Sequence, residues 1–466
     1  MIAGRLIRRL FAGRQRLSLL ELADGLMSER GEASGVALAR ELLDAYLAAD
    51  EAGQLEFLTS LPQKFGIDAR RIDRAIASYQ ANPRADTARR LHEAAEPRVQ
   101  ELLRRLNLAP GGTAVLVRMR EDVLRLASRH AELRTIDADF SHLFASWFNR
   151  GFLELRRIDW STPAAVLEKI IRYEAVHEIN SWAELRGRLE PVDRRCFAFF
   201  HPAMPDDPLI FVEVALTEEI PDRIAPLLSE SHLPLNPGKA RTAVFYSISN
   251  CQKGLQGISF GNFLIKQVVE ELRRDLPDLR NFVTLSPVPG FAAWLQRDDA
   301  ANLSDKERQT LARVQQAQWQ AGAQGDKALE QVLTRQIAHY LLNTKSANGK
   351  PRDPVARFHL NNGARLERIN WLADLSVKGL RDGLGYMVNY LYDLDEIEKN
   401  HEAFVHDEPI AASRAVKALA RPRRGAAQSN GPSAALGQDP DRREDQGAEA
   451  GKTQANGNPD ARALRR

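Results

Sequence analysis

The feature that most constrains the fold is a change in the spacing of apolar residues near residue 160. From about Leu17 to Phe152, apolar residues recur at intervals of three and four, the period of a helix with one buried face. After Trp160 the pattern changes to short runs rich in Phe, Val and Ile, separated by Pro and Gly, which is typical of strands. The chain is therefore expected to fold into an all-helical N-terminal part and a second part that contains a sheet.

Strand and helix patterns alternate in the second part, which indicates an α/β or α+β domain. Strands are expected at Cys196 to Phe200, Leu209 to Leu216, Ala243 to Ser249 and Asn281 to Leu285, and helices at Asn262 to Arg274 and Asp305 to Gln320. The last segment lacks aromatic residues, and from Ala420 it is rich in Gly, Ala and polar residues that cannot offset the entropy of ordering. We divide the chain into a helical domain at 1–160, an α/β domain at 161–405 and a disordered tail at 406–466.

Composition excludes several classes of function. The 466 residues include 65 basic and 62 acidic ones, so the net charge of +3 gives no basic surface for nucleic acid. Cys196 and Cys251 are the two cysteines, and their spacing argues against a disulfide framework and a zinc site, so both are expected to be inert thiols. No run approaches the roughly 18 apolar residues of a membrane span. A soluble protein of a reducing compartment is expected.

The N-terminus bears on localisation. The first twenty residues carry five arginines and no acidic residue, a composition shared by organelle transit peptides and amphipathic helices. The helical spacing continues through Leu19, Leu22 and Leu26, which favours a helix. The chain ends Ala-Leu-Arg-Arg rather than Ser-Lys-Leu, so a peroxisomal address is not supported. The cytoplasm is the expected location, with the mitochondrial matrix as the alternative.

A glycine-bearing loop between a strand and a helix is the first candidate for chemistry. Its glycines would let backbone N–H groups approach a pyrophosphate at the helix N-terminus. The loop consists of Gln256, Gly257, Ile258, Ser259, Phe260, Gly261 and Asn262. It resembles the acetyl-CoA loop of N-acetyltransferases, although Ser259 replaces the middle glycine. The same residues match G-x-S-x-G of serine hydrolases, but the expected strand ends near Ser249, too early for a nucleophile elbow.

Two further residues are candidates for catalysis. If the loop binds an acyl-CoA, the resemblance to the N-acetyltransferase fold implies that the flanking strands splay apart. Ser286 would then lie at the reactive end of the ligand, held by a strand on one side and by Pro287 and Pro289 on the other. His359 has apolar neighbours and is followed by a polar turn, a position equally suited to a histidine of the core. The other histidines show no metal-ligand spacing, so no metal is expected.

Long segments in a fixed order resemble malonyl-CoA decarboxylases. These are residues 245–295, which contain LQGISFGNFLIK and LSPVPGF, residues 353–380 with FHLNNG, and residues 383–394 with NYLY. The likeness covers roughly residues 160 to 405, and WFNRGFLELRRIDW extends it into the helical half. It implies an N-acetyltransferase-like catalytic domain with a mixed sheet, Ser286 and His359 as the catalytic pair, Tyr392 near the site, and the loop Gln256 to Asn262 against CoA.

The resemblance also implies the reaction, a carboxy-lyase converting malonyl-CoA to acetyl-CoA and CO2. Loss of CO2 leaves an α-carbanion that the thioester delocalises as an enolate, so no cofactor is expected. It further implies a homo-oligomer, commonly a tetramer, in which the helical domain is a plausible oligomerisation module. Two alternatives stay open: a CoA-dependent N-acyltransferase, and an acyl-CoA-binding regulatory protein.

Overall fold

The N-terminal part is built from helices. The computed structural model describes residues 17–28, 32–229, 231–258, 264–297, 303–316 and 319–421. Every regular element described before residue 148 is a helix, as predicted. These helices are α1 Leu19–Met27, α2 Glu32–Ala48, α3 Glu51–Phe65, α4 Ala69–Ala81, α5 Ala85–Ala95, α6 Arg98–Asn107, α7 Gly112–Leu126 and α8 Leu133–Trp147.

The apolar residues at helical spacing form the core of this part. In α6 the face that contains Val99, Leu102, Leu103 and Leu106 is buried, while its arginines and Glu101 remain partly exposed. Each buried Leu or Val stabilises the fold by roughly 1.5 to 3 kcal/mol relative to the exposed side chain. The helix period seen in the sequence is therefore the period of core packing.

A mixed sheet of eight strands follows. The strands are β1 Glu154–Ile158, β2 Arg194–Phe200, β3 Ile210–Thr217, β4 Thr242–Asn250, β5 Asn281–Thr284, β6 Ser286–Pro287, β7 Arg365–Asn370 and β8 Met387–Leu391. Their order is β1-β2-β3-β4-β5-β8-β6, and β7 also pairs with β8. Strands β4 and β5 are parallel, and the other pairs are antiparallel. The predicted helical part followed by an α+β part with a mixed sheet is confirmed.

Helices connect and cover the strands. In chain order they are α9 Ala164–Tyr173, α10 Trp182–Leu189, α11 Ala225–Leu228, α12 Leu264–Asp275, α13 Phe291–Gln296, α14 Asp305–Ala312, α15 Lys327–Asn343, α16 Pro354–Asn361, α17 Val377–Gly383, α18 Ile397–Val405 and α19 Arg414–Leu419. The last of these lies within 406–466, the range that the sequence assigns to a tail. None of the described helices has the length and apolar character needed to cross a membrane.

Most local predictions hold, and one predicted helix is shorter in the structure than the sequence indicates. The four predicted strands correspond to β2 to β5, and the helix predicted at 262–274 is described from Leu264 as α12. The predicted helix from Asp305 to Gln320 ends at Ala312, where the chain tightens into a 3-10 turn at Arg313–Gln315. The side chain of Trp319 then packs against Trp371, with ring centroids 5.8 Å apart. This tertiary contact outweighs the local helical preference.

The strands β4 and β5 part in the middle of the sheet. Their pairing runs from Thr242 with Asn281 to Phe245 with Thr284, and the Leu285 N–H still donates to the Phe245 carbonyl at 3.1 Å. Beyond this point β4 continues beside β3, whereas Ser286 and Pro287 pair with β8. A bulge in the β3–β4 pairing adds to the twist of β4. The parting strands leave a cleft.

A buried arginine of the helical part ties it to the turn that follows β4. Arg120 of α7 donates to the carbonyl oxygens of Gly254 and Gln256 at 2.7 and 3.0 Å, and it pairs with Asp137 at 2.9 Å. The backbones meet closely here, because a Cβ atom at Gly254 would overlap the Val117 carbonyl oxygen. The helical part therefore fixes the start of the candidate CoA loop.

Candidate active site

The cleft between β4 and β6 contains a cavity of about 250 Å³. Strand β4 lines one side, β6 the other, and the first two turns of α16 close it. Most of the wall is apolar, including Phe245, Ile248 and Phe358, and the polar side chains on it include Ser286 and His359. A second cavity of about 380 Å³ shares Pro354 and Phe358 with it and is lined by Lys350 and Arg357.

Ser286 and His359 are in direct contact. The Ser286 Oγ lies 3.0 Å from the His359 Nε2, and both side chains are buried. The residues are 73 positions apart in the chain. Ser286 is placed by its pairing with Val388 of β8, and His359 lies in the last turn of α16, which begins with the Asp353 cap and Pro354. The two candidates that the sequence singled out separately therefore form one unit.

His359 is neutral in the folded chain. Burial away from water lowers the pKa of its imidazole to about 3, because the charged form loses its hydration. The ring stacks on the Tyr390 ring, with centroids 4.6 Å apart and planes 25° from parallel. A neutral imidazole has one N–H donor and one acceptor nitrogen, so it can pass a proton from one neighbour to the other.

Tyr392 occupies the far side of the imidazole. Its hydroxyl lies 2.8 Å from the His359 Nδ1, and its backbone N–H donates to the Phe282 carbonyl at 2.8 Å, which holds β8 against β5. Burial raises the pKa of this phenol, so the hydroxyl stays protonated. All three candidate catalytic residues, Ser286, His359 and Tyr392, thus lie in one hydrogen-bonded chain.

Thr284 extends this chain, and the sequence analysis missed it. Its side chain is fully buried, and its Oγ1 accepts a hydrogen bond from the Ser286 hydroxyl at 2.9 Å and another from the Tyr390 N–H at 3.1 Å. Residues two apart on a strand share a face, so the contact with Ser286 could have been expected. A threonine in an apolar strand gives no other sign of a role.

Glu174 is a second residue that the sequence analysis missed. Its carboxylate accepts both Ser247 and Ser249 hydroxyls and the N–H groups of Val176 and His177, at 2.8 to 3.3 Å. These bonds fix the segment after α9 against β4, where Val176 lines the cavity. A single glutamate at the end of a predicted helix does not indicate this anchoring role in the sequence.

The predicted CoA loop is described only in part. Gln256 and Gly257 are exposed, Gly257 has a φ of 80°, and neither residue lines the Ser286 cavity. Ser259, Phe260, Gly261 and Asn262 lie outside the described residues, as does the basic segment before Leu17. Strand β4 ends at Asn250, and a 3-10 turn at Lys253–Leu255 separates it from the G-x-S-x-G match. A nucleophile elbow needs a strand that ends directly before the serine.

The remaining cysteine and histidine candidates of the sequence have surroundings that favour structural roles. Within the described ranges no cluster of three or more His, Cys, Asp or Glu residues could hold a metal ion. Cys196 and Cys251 are free and buried, and burial raises the pKa of both thiols. His201 contacts the Trp147 carbonyl at 3.1 Å and accepts the Ala203 N–H at 3.1 Å, which fixes the proline-rich loop.

Comparison with known proteins agrees with this architecture. Residues 65–148 match the family model of the malonyl-CoA decarboxylase N-terminal domain, and residues 151–430 match that of the C-terminal domain. The mitochondrial malonyl-CoA decarboxylase of Anser anser anser is 36% identical over 409 residues, which are 80% of this chain and 81% of the goose protein. The enzyme of Rattus norvegicus is 35% identical over 407 residues, 80% of this chain and 82% of that protein.

Solved structures give the same result. The crystal structure of malonyl-CoA decarboxylase from Rhodopseudomonas palustris is 55% identical, with a TM-score of 0.83, and the match covers 86% of this chain and 98% of that one. The structure from Agrobacterium vitis is also 55% identical, with a TM-score of 0.83 and coverage of 87% and 100%. The chain belongs to the malonyl-CoA decarboxylase family.

Proposed function

We propose that the chain converts malonyl-CoA to acetyl-CoA and CO2 through a thioester enolate, with Ser286 and His359 as the catalytic pair. The observation that carries this proposal is the buried contact between the two side chains, at 3.0 Å, at the end of the cleft between β4 and β6. The residues come from distant parts of the sequence, and the contact places their polar groups together on the wall of a mostly apolar cavity.

The cavity suits the movement of charge in this reaction. Malonyl-CoA enters with a carboxylate, and the negative charge moves to the thioester oxygen as the bond to CO2 breaks. The apolar side chains Phe245, Ile248 and Phe358 give the carboxylate little solvation. A hydroxyl donor beside the thioester stabilises the enolate that forms, and one well-placed donor is typically worth about 3 to 4 kcal/mol. Ser286 is the group in position to donate.

The rest of the coenzyme would follow the cleft outward. Beyond Phe245, β4 has lost its β5 partner, so its backbone groups can bond to the amides of an extended thioester arm. Lys350 and Arg357 in the adjoining cavity offer positive charge to phosphate groups. The loop from Gln256 to Asn262 remains our proposal for the pyrophosphate, with backbone N–H groups as donors.

The products distinguish this function from its alternatives. Purified protein is incubated with malonyl-CoA labelled in the free carboxyl group, with and without an amine acceptor. We expect labelled CO2 and acetyl-CoA in equal amounts, independent of the acceptor. Free CoA without CO2 would indicate a hydrolase, acceptor-dependent CoA release would indicate an N-acyltransferase, and tight binding without turnover would indicate an acyl-CoA-binding regulatory protein.

The helical domain at 1–160 is our proposed oligomerisation module, with a tetramer as the expected assembly. Helix α4 buries none of its residues, and the side chains of Ile76 and Tyr79 are exposed on it. Light scattering of the parent and of an Ile76→Glu, Tyr79→Glu variant tests this: the parent should be a tetramer and the variant smaller, whereas a monomeric parent would contradict the proposal.

We propose the cytoplasm as the location, with the mitochondrial matrix as the alternative.

A further inference from the structure

The hydrogen-bonded chain through Ser286 can be connected in two opposite directions. Ser286 has one hydroxyl proton and two neighbours that could accept it, Thr284 Oγ1 at 2.9 Å and His359 Nε2 at 3.0 Å. The neutral imidazole also has one ring proton, on either Nδ1 or Nε2. The direction of the Ser286 hydrogen bond is therefore coupled to which nitrogen of His359 is protonated.

The two arrangements have different chemistry. If Ser286 donates to Nε2, then Nδ1–H donates to the Tyr392 oxygen, and His359 acts as a base that withdraws the serine proton, as in a hydrolase. If Ser286 donates to Thr284, then Nε2–H donates to Ser286, and Tyr392 donates to Nδ1. In this second arrangement the protons of Tyr392 and His359 both point toward Ser286, and the chain can deliver one to the substrate.

The Ser286 hydroxyl has the geometry to donate to Thr284 Oγ1, at 2.9 Å. The Thr284 Oγ1 is held in place as an acceptor, because Thr284 is fully buried and its Oγ1 also accepts the Tyr390 N–H at 3.1 Å. That second bond links it to β8, the strand that Tyr392 directly follows, while Asn389 of β8 donates to the Thr284 carbonyl at 2.8 Å. Thr284, the acceptor, lies on β5 and is fixed by these bonds to β8.

We propose that Thr284 is a positioning residue that selects the Nε2–H tautomer of His359, so that Ser286, His359 and Tyr392 form a chain that donates a proton to the substrate. The inference rests on the proposed decarboxylation. It assigns the proton that the enolate needs to Ser286, resupplied through His359, and it accounts for a serine and histidine pair that does not act as a nucleophile.

The proposed step is balanced. The electron pair of the broken bond to CO2 becomes the enolate, and the Ser286 hydroxyl turns from Thr284 to the substrate. The α-carbon takes the hydroxyl proton, forming a C–H bond and breaking the O–H bond. Ser286 Oγ takes the Nε2 proton, Nδ1 takes the Tyr392 proton, and solvent returns one proton to the phenolate. The relay leaves His359 with its proton on Nδ1, and proton exchange with solvent after product release restores the Nε2–H form. The net change of the full cycle is one solvent proton placed on the acetyl group.

The test reads the tautomer directly and does not depend on turnover. The full chain is labelled with ¹⁵N-histidine, and solid-state NMR of the sedimented protein identifies the protonated nitrogen of His359, with His359→Asn used to assign the signal. Three proteins are compared: the parent, Thr284→Val, which keeps the shape and removes the acceptor, and Thr284→Ser, which keeps the acceptor. We expect Nε2–H in the parent and in Thr284→Ser, and Nδ1–H in Thr284→Val.

Kinetics supply the second readout. Thr284→Val should lower kcat by roughly 10- to 100-fold, which is less than the full effect typical of losing acid catalysis. Its KM should stay within about 2-fold of the parental value. Thr284→Ser should restore most of kcat. A parental Nδ1–H tautomer, or an unchanged tautomer in Thr284→Val, would overturn the inference. If Thr284→Val fails to fold, the parental spectrum still decides. Absence of CO2 release by the parent would refute the proposed function and leave the tautomer result standing.

Discussion

The two ends of the candidate substrate cleft are built differently. At the inner end, Ser286, His359 and Tyr392 are buried, neutral and joined by hydrogen bonds of 2.8 to 3.0 Å. At the outer end, Gln256 and Gly257 are exposed, and the turn before them is fixed from the helical part by Arg120. The inner end is rigid through its own packing, whereas the outer end depends on a different part of the chain.

This difference indicates a division of labour. Groups that are preorganised around the reacting bond affect the transition state and therefore kcat, whereas groups that hold a remote part of the substrate affect binding and therefore KM. The helical domain would then contribute to catalysis indirectly, through the position of the loop. Substitutions at the two ends should therefore separate kcat from KM, with the larger effect at the inner end.

The largest effect is expected from His359→Asn. The variant keeps a polar side chain but cannot pass a proton between Ser286 and Tyr392. We expect kcat for CO2 release to fall by about two to four orders of magnitude, with KM changed little. Thermal unfolding serves as the control for folding. Turnover near the parental rate would show that the inner end is not the reacting end.

A smaller effect of the opposite kind is expected from Arg120→Met. It leaves the Gly254 and Gln256 carbonyls without their donor and Asp137 without its partner, at a cost of about 3 kcal/mol in the free energy of unfolding. We expect KM for malonyl-CoA to rise about tenfold through a misplaced loop, at a temperature where the variant is folded, with kcat reduced less.

Lys253→Ala is the matched control for this substitution. Lys253 lies in the same turn and forms an exposed ion pair with Glu121 of α7 at 3.9 Å. Exposed pairs contribute little, so neither KM nor stability should change measurably. If both variants raise KM equally, the surface charge of the turn matters rather than its attachment to α7.

The smallest effect concerns pH. The pKa of His359 is lowered from 6.5 to about 3 in the folded chain, so the unfolded chain binds the proton first as pH falls. The stabilising contribution is complete above pH 6.5 and is lost as pH falls toward 3. Between pH 7 and 5, this residue should reduce the free energy of unfolding by about 2 kcal/mol. Urea unfolding measures this change, which should be smaller in His359→Asn than in the parent by about the same amount.

The exposed His92 of α5 provides the comparison for this measurement. His92→Asn should leave the pH dependence of stability as in the parent. Equal pH dependence in the parent and in His359→Asn would contradict a neutral, buried imidazole. In the parent, kcat should show no decline between pH 7 and 5 that arises from protonation of His359.

Patterns that reflect burial could be predicted from the sequence. The runs that became β2 to β5 are apolar because both faces of the central sheet are covered, and the helical half shows the spacing of its core. Strand β7, Arg365–Asn370, was missed because only Leu366 and Asn370 are buried in it and the rest of RLERIN is charged or partly exposed. Strand β1, ELRRI, was missed for the same reason.

The candidate site was predicted in part. Ser286 and His359 were candidates from their positions in the sequence, but their roles, and Tyr392 itself, came from the family resemblance. Single residues before a proline or within an apolar helix have ordinary structural explanations. Their mutual contacts could not be derived, because each joins strands or helices that are distant in sequence. Glu174 is defined only by such contacts, and Thr284 only by its position two residues before Ser286 and its bond to the Tyr390 N–H.

The central claim is that the buried Ser286 acts in the chemical step and not in binding. The most direct measurement is the rate of CO2 release from carboxyl-labelled malonyl-CoA in a single turnover, for the parent and for Ser286→Ala. The dependence of this rate on protein concentration gives the apparent affinity of each for malonyl-CoA. We expect the variant to bind within a few-fold of the parent and to release CO2 at least about a hundredfold more slowly. Parental release by Ser286→Ala would contradict the assignment, and so would a loss confined to binding.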